Sequence, residues 1–554
     1  MAIVALAAGP AWADEAKLPD PANPIQGRLM ICGGGRLPEA ILERFVEYAG
    51  GEQGRIVLIS TASDYAGTDD LEARIQVWRR QKVASLQVFH APTREHSDQE
   101  DFCKPLTEAT GIWFMGGMQS RVTDAYLGTH AEKCIRQVLA HGGVVGGTSA
   151  GAAIMSKVMI RGGFPDPELG TGFGFIPGAI VDQHFIKRNR QERLLRALQQ
   201  RPGLVGLGVD EGTALVVDGR GISVMGESEV VVCLPESETR PLKIQRLKEG
   251  DRADLVAYSR AAIARAKSQP VVAAAAPEIS KGTLVIAGGG ELPKEAAKRF
   301  LDAAGGPEAP VVVVSTALGE EAPSEAVLGW LQEMGAKNVR QIHAHSRNEA
   351  ANDSTLTALR DAHGIWFTGG RQWRLVDVFL DTPAEKLIRD VLQRGGVIGG
   401  ASAGATIQGS YLVRGNPVGN TEIMAEGYER GFGLLPGVAI DQHFAQRNRF
   451  DDMASLKRTF PQLIGLGVDE ATALIVQGHS MEVVGRHKVA VYDKPVPEEG
   501  SPEFELLQPG EKYDLKDHRR LAGDDEELAK PATILTTGST TSAVAEEPAQ
   551  SLCP

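Results

Sequence analysis

Apolar residues in this chain gather in short uninterrupted runs rather than alternating with polar ones. Arg55-Ile-Val-Leu-Ile-Ser60, Leu86-Gln-Val-Phe-His90 and Gly111-Ile-Trp-Phe114 are separated by helix-length amphipathic stretches. A strand that is apolar at every position has both faces covered, which predicts a parallel sheet with helices on either side. The expected fold class is a doubly wound α/β domain. Ligands of such sheets sit beyond the carboxyl ends of the strands, where Gly-rich loops stand in this sequence.

The pattern occurs twice. Leu29-Met-Ile-Cys-Gly-Gly-Gly-Arg-Leu-Pro38 returns as Leu284-Val-Ile-Ala-Gly-Gly-Gly-Glu-Leu-Pro293, and Gly111-Ile-Trp-Phe-Met-Gly-Gly117 as Gly364-Ile-Trp-Phe-Thr-Gly-Gly370. Gly142-Gly-Val-Val-Gly-Gly-Thr-Ser-Ala-Gly151 returns as Gly395-Gly-Val-Ile-Gly-Gly-Ala-Ser-Ala-Gly404, and Val181-Asp-Gln-His-Phe185 as Ile440-Asp-Gln-His-Phe444. The spacing between copies is 255 residues at the first motif, 253 from Gly111 to the Ser motif and 259 from the His motif onward, so a loop within 415–429 is six residues longer in the second copy. Two homologous domains follow, at 27–260 and 281–520. Residues 261–280, rich in Ala with Pro270 and Pro277, read as a helix end running into a linker. The tail 521–554 lacks the apolar content for a core and is expected to be disordered.

Composition narrows the function. With 58 Lys+Arg against 71 Asp+Glu the net charge is −13, the wrong sign for a protein that neutralises phosphates, so nucleic acid is not an expected partner. The segment 1–13, MAIVALAAGPAWA, ends in the small-x-small pattern of a signal-peptide cleavage site, although no basic residue precedes Lys17. Export to the periplasm or medium is expected, with no later stretch able to anchor the chain in a membrane. The five cysteines lack the paired short spacings of a zinc site. Free buried thiols are expected, and pairing of Cys103 with Cys134 is the alternative in an oxidising compartment.

Gly147-Thr-Ser149-Ala-Gly151 follows an apolar run and precedes Ala152-Ala-Ile-Met155, the strand, turn, helix context of a nucleophile elbow. One such match on its own reads better as a Ser capping a helix. Two copies, each followed by its own His and acid, favour catalysis. Ser149 and Ser402 are the expected nucleophiles, His184 and His443 the bases, and Ala150 with Gly117, or Ala403 with Gly370, the oxyanion donors. The orienting acid is one of Asp210 and Glu211, or of Asp469 and Glu470. Neighbours on a strand face opposite ways, so one of each pair serves.

The Gly-Gly-Thr-Ser-Ala-Gly elbow, Asp-Gln-His-Phe followed by Arg188-Asn-Arg190-Gln-Glu-Arg193, and Val-Asp-Glu-Gly-Thr-Ala214 closely resemble cyanophycinases, a serine peptidase family that also holds α-aspartyl dipeptidase. The resemblance covers nearly all of both repeats. It implies a flavodoxin-like fold akin to class I glutamine amidotransferases, with Glu211 and Glu470 as the acids. The residues themselves show no His-x-x-x-His or carboxylate cluster, so no metal and no cofactor are expected. It further implies cyanophycin as the substrate, a poly-aspartate with arginine on each β-carboxyl, cut to β-aspartyl-arginine. Gln119, Asp182, Gln183, Arg188, Arg190 and Arg193 are the implied pocket residues, with Gln372, Asp441, Gln442, Arg447 and Arg449 matching them. Relatives that dimerise suggest an intrachain pseudo-dimer.

Asp452 stands where the first copy has Arg193. This reversed charge is expected to repel a substrate carboxylate and weaken the second site. The rival readings are a related aspartyl or isoaspartyl dipeptidase and a noncatalytic peptide-binding protein. The Gly-Gly-Gly loops at 33–35 and 288–290 lack the spacing of a dinucleotide fingerprint.

Overall fold

A computed structural model describes residues 25–267, 274–319, 326–495 and 503–521. The expected leader at 1–13 and the tail beyond Leu521 lie outside these residues. The chain divides into two compact units, Met1–Pro270 and Val271–Pro554.

In the first unit five parallel strands lie in the order Ile25–Cys32, Val144–Thr148, Gly111–Phe114, Arg55–Ile59, Ser85–Phe89. Thr213–Gly219, Gly221–Gly226 and Arg252–Asp254 extend the sheet antiparallel beyond Ile25–Cys32. Taken in chain order, the strands beginning at Arg55, Ser85, Gly111 and Val144 stand as 2-1-3-4, the flavodoxin-like winding, and the amino-terminal strand takes the fifth place.

The uninterrupted apolar runs are explained by two cores. Ile56 and Leu58 pack into a cluster with Phe45, Trp78 and Trp113, while Val57 and Ile59 pack with Phe114, Tyr126 and Ile135 on the opposite face. Alternate residues of one strand thus serve different cores.

A second sheet, not separable from the first in the sequence pattern, consists of Lys243–Leu247, Val230–Leu234, Val205–Val209 and Ala179–Gln183. Its last two strands are parallel. The unit closes with the helix Leu255–Ala266, capped by the Asp254 carboxylate accepting from the Ala257 N–H, and the helix end expected before the linker falls at Ala266.

The second unit repeats this plan. Val339–Ile342, Val311–Val314, Gly364–Phe367, Val397–Ala401 and Thr283–Ala287 keep the parallel order, followed by four antiparallel strands from Thr472–Gln477 to Arg519–Leu521. Its smaller sheet has five strands, Gly409–Tyr411, Leu435–Gln442, Ile464–Val468, Val489–Tyr492 and Glu505–Leu507. Among the described residues no helix is long and apolar enough to cross a membrane.

Candidate active site

Ser149 ends the strand Val144–Thr148 and opens the helix Ala150–Ala153 with φ 53°, a left-handed backbone that a β-carbon normally avoids. Its N–H donates to the Cys32 carbonyl at 3.0 Å, which holds the turn. The flanking glycines are steric necessities. A β-carbon on Gly147 would lie 2.6 Å from the Gly151 carbonyl carbon, and one on Gly151 would lie 2.3 Å from the Phe114 carbonyl oxygen.

Ser149 Oγ stands 2.8 Å from His184 Nε2, and His184 Nδ1 stands 2.6 Å from Glu211 Oε1. In the second unit Ser402 Oγ is 3.0 Å from His443 Nε2, and His443 Nδ1 is 2.6 Å from Glu470 Oε1. The serine rises from the large sheet, whereas the histidine and glutamate follow adjacent strands of the small one. The site is therefore the seam between two sheets.

Gly33-Gly-Gly35 makes that seam. The His184 N–H donates to the Gly33 carbonyl at 2.7 Å and the Gly212 N–H to the Gly34 carbonyl at 3.0 Å. Gly34 passes so close beneath the imidazole that a β-carbon there would sit 2.3 Å from His184 Cε1, and Gly35 bears the same relation to Glu211 at 2.9 Å. Gly289 and Gly290 repeat the arrangement under His443 and Glu470. Sequence reasoning weighed these glycines only against cofactor loops. Their recurrence at the end of the first strand of each repeat was the available signal for a role beside the base.

The choice left open between neighbouring acids has a geometric answer. Asp210 turns away from the imidazole and accepts from the Ile186 and Lys187 N–H groups at 3.0 and 2.8 Å and from Ser228 Oγ at 2.8 Å, fixing the chain just after His184. Asp469 likewise accepts from the Ala445 N–H at 2.9 Å. Burial pulls His184 below the usual histidine range, against its hydrogen bond to Glu211, which raises it, while the charge of Arg188 lowers it further. His443 is lowered by the same causes in the same order, with Arg447 in the place of Arg188. Both shifts favour the neutral ring, the form a general base needs.

The Ala150 and Ala403 N–H groups open their helices, where no carbonyl of the preceding turn is available to them. The Gly116-Gly117 turn lies against the serine: a β-carbon on Gly116 would be 3.3 Å from Ser149 Cβ, and for Gly369 the distance to Ser402 Cβ is 3.5 Å. The amides of Gly117 and Gly370 are next in line.

The expected pocket residues divide by burial, with Asp182, Gln183 and Arg193 buried and Arg188 exposed. Arg193 gives Nε to Asp182 at 3.0 Å, its Nη2 closes the bidentate pair, and Nη1 reaches the Gly163 carbonyl at 3.2 Å. Arg190 donates to the carbonyl of Gln183 at 2.7 Å and to its side-chain oxygen. Burial, then the neighbouring Arg193, pushes the Arg190 guanidinium down to about 10, still cationic at neutral pH. Gln119 donates to the Ile160 and Arg161 carbonyls at 3.0 and 2.7 Å, as Gln372 does to Val413 and Arg414. Arg188 is exposed. These contacts leave Arg193 no free fork for a substrate carboxylate. A buried Asp182 requires a partner, and Arg193 supplies it.

The expectation for Asp452 is corrected as well. Arg414, at φ 55°, turns inward and binds Asp441 through Nε at 3.1 Å and Nη2 at 2.9 Å, with Asp452 at 2.6 Å from the same Nη2. Its Nη1 reaches the Asn420 and Thr421 carbonyls of the longer loop. Arg449 adds a second cation to Asp441 at 2.7 Å and bonds Gln442. Asp452 therefore answers a guanidinium supplied from another part of the chain and is not an uncompensated charge. Sequence reasoning also missed Arg371, which follows Gly370 and holds the longer loop by the Asn416 and Gly419 carbonyls at 2.7 and 2.8 Å.

Comparison with known proteins agrees with this repeated plan. The chain is 29% identical over 248 residues to a cyanophycinase of Geminocystis herdmanii, covering 42% of this chain and 91% of that one. It is 31% identical over 224 residues to a cyanophycinase of Synechococcus elongatus, covering 38% and 69%. A crystal structure of a peptidase from an acI-B1 actinobacterium is 26% identical, with a TM-score of 0.33, over 43% of this chain and 98% of that one. The sequence model of peptidase family S51 matches residues 29–225 and again 284–484, so the chain is a tandem duplication that belongs to peptidase family S51 and is a serine-type peptidase.

Proposed function

We propose that this chain is an exported cyanophycinase that hydrolyses the polymer to β-aspartyl-arginine dipeptides at two Ser-His-Glu sites. The observation that carries the reading is the continuous chain of short contacts from Ser149 Oγ through His184 to Glu211, repeated from Ser402 to Glu470. His184 Nε2 takes the hydroxyl proton as Ser149 Oγ attacks the carbonyl, while Glu211 orients the ring and stabilises the imidazolium. The amides of Ala150 and Gly117 receive the developing oxyanion. The imidazolium returns its proton to the leaving amine, and water then cleaves the acyl-enzyme by the same exchange in reverse.

The substrate offers carboxylates, and around Asp182 two guanidiniums face one carboxylate, leaving net positive charge behind the first site. In the second unit two guanidiniums face two carboxylates, and the group is neutral. The first site is therefore the principal one for the polymer. Export rests on the Ala-Trp-Ala pattern and is read by whether the mature protein begins after Ala13.

The test is incubation of the purified chain with cyanophycin and, separately, with plain aspartyl and isoaspartyl dipeptides, with products identified by mass. Release of β-aspartyl-arginine is expected. Hydrolysis of the dipeptides alone would replace the substrate assignment, and failure of both serines to take a fluorophosphonate label would end the catalytic one.

A further inference from the structure

Away from the triads, the first unit brings together three residues that the sequence keeps apart. Cys103 lies on the helix Glu100–Glu108, while His130 and Cys134 lie one turn apart on the helix His130–Ala140. Their ligating atoms all fall within 4.8 Å of one another, and both thiols are 1% exposed, with His130 nearer the surface. A Cys-x-x-Cys pattern is absent because the donors come from two helices packed side by side.

The second unit provides an internal control. It carries Leu356 and Leu387 at the positions of the two cysteines and Pro383 at that of His130, on the matching helices Asp353–Asp361 and Pro383–Gln393. The same helix pair can therefore be packed by apolar side chains alone. All three ligands occur in one copy and none in the other, so the difference between the units is the whole donor set and not one scattered thiol.

We propose that Cys103, His130 and Cys134 form a zinc site peculiar to the first unit, with an open fourth position. Two thiolates and an imidazole are a borderline-soft donor set suited to Zn2+, whose ligand distances of about 2.0–2.3 Å require the three atoms to close in by about 1 Å or less. The two thiolates balance the charge of the cation, so a neutral cluster forms in a buried place. Both thiols are buried, and metal binding displaces their protons to solvent. The ion ties together two helices that cover one face of the large sheet and takes no part in hydrolysis.

The experiment uses the full chain, reduced and stripped with a chelator, then titrated with Co2+ as the spectroscopic probe and back-titrated with Zn2+. One equivalent of Co2+ should give a thiolate-to-cobalt charge-transfer band that Zn2+ bleaches, and Zn2+ should raise Tm. The double variant Cys103→Leu, Cys134→Leu, which copies the second unit, should abolish the band and the Tm shift while keeping the far-ultraviolet circular dichroism and peptidase activity. His130→Ala should weaken Co2+ binding at least tenfold. A band that survives the double variant would overturn the proposal. So would protein isolated from zinc-supplied cells with no bound metal and a Cys103–Cys134 disulfide in its mass spectrum.

Discussion

Arg414 Nη2 lies 2.6 Å from Asp452 Oδ2, in the place where the first unit has Arg193 beside Asp182. Both units bury an aspartate two residues before the histidine that contacts the elbow serine, and both compensate it with a pair of guanidiniums, but the chain delivers one of them from a different element. Arg161, the counterpart of Arg414, is exposed, and Asp452 occupies the helix position that Arg193 fills. Arg414→Ala is expected to cost about 3–5 kcal/mol by leaving buried Asp441 short of a partner. Asp452→Arg should also lower Tm, because it sets a third guanidinium against a single buried carboxylate. Neither loss should appear for Arg161→Ala, and thermal unfolding of the three variants reads the difference.

The two sites can be separated by their nucleophiles. Removing the serine of a triad costs on the order of 10⁶ in turnover at that site. Ser149→Ala should therefore remove most release of β-aspartyl-arginine and leave only the contribution of the second site, while Ser402→Ala should remove the smaller part. Initial rates on cyanophycin measure both. Most activity persisting in Ser149→Ala would reverse the order assigned to the sites.

Glu211 and Asp210 are neighbours with separate tasks, and substitution should tell them apart. Glu211→Gln keeps the shape but removes the charge that stabilises the imidazolium, and a fall of about 10³–10⁴ in kcat at the first site is expected. Asp210→Asn touches only the two amides after His184 and Ser228, so its loss should be smaller and appear partly in KM. Kinetics in the Ser402→Ala background isolate the comparison.

Much of this site was legible in the chain because the elbow, the base and the acid each sit in a local motif that recurs. The doubly wound order was legible for a similar reason, since a run such as Ile56-Val-Leu-Ile59 has no exposed face to spare. What stayed hidden depends on non-local placement. The role of Arg414 follows from an inward turn at φ 55° that brings it to residues 27 and 38 positions away. The division into two sheets follows from which strands pair, and strands of either sheet are equally apolar. Adjacent carboxylates at 210 and 211 could be ranked only through resemblance until their partners were known.

The same geometry sets the pH response. Only the neutral imidazole accepts the serine proton, so activity falls as pH drops through the pKa of His184. Burial, the largest influence, places that value below the ordinary histidine value of about 6.5. The acid limb of kcat/KM for the Ser402→Ala enzyme should therefore have its midpoint below that value. Glu211 raises the pKa through its hydrogen bond, so Glu211→Gln should move the midpoint lower still, in addition to lowering the plateau. Arg188→Ala should move it the other way, because the exposed guanidinium disfavours the imidazolium, and added salt should shrink the shift as it screens that charge. Opposite displacements in the two variants would tie the limb to His184, whereas an acid limb unmoved by either would assign it to another group.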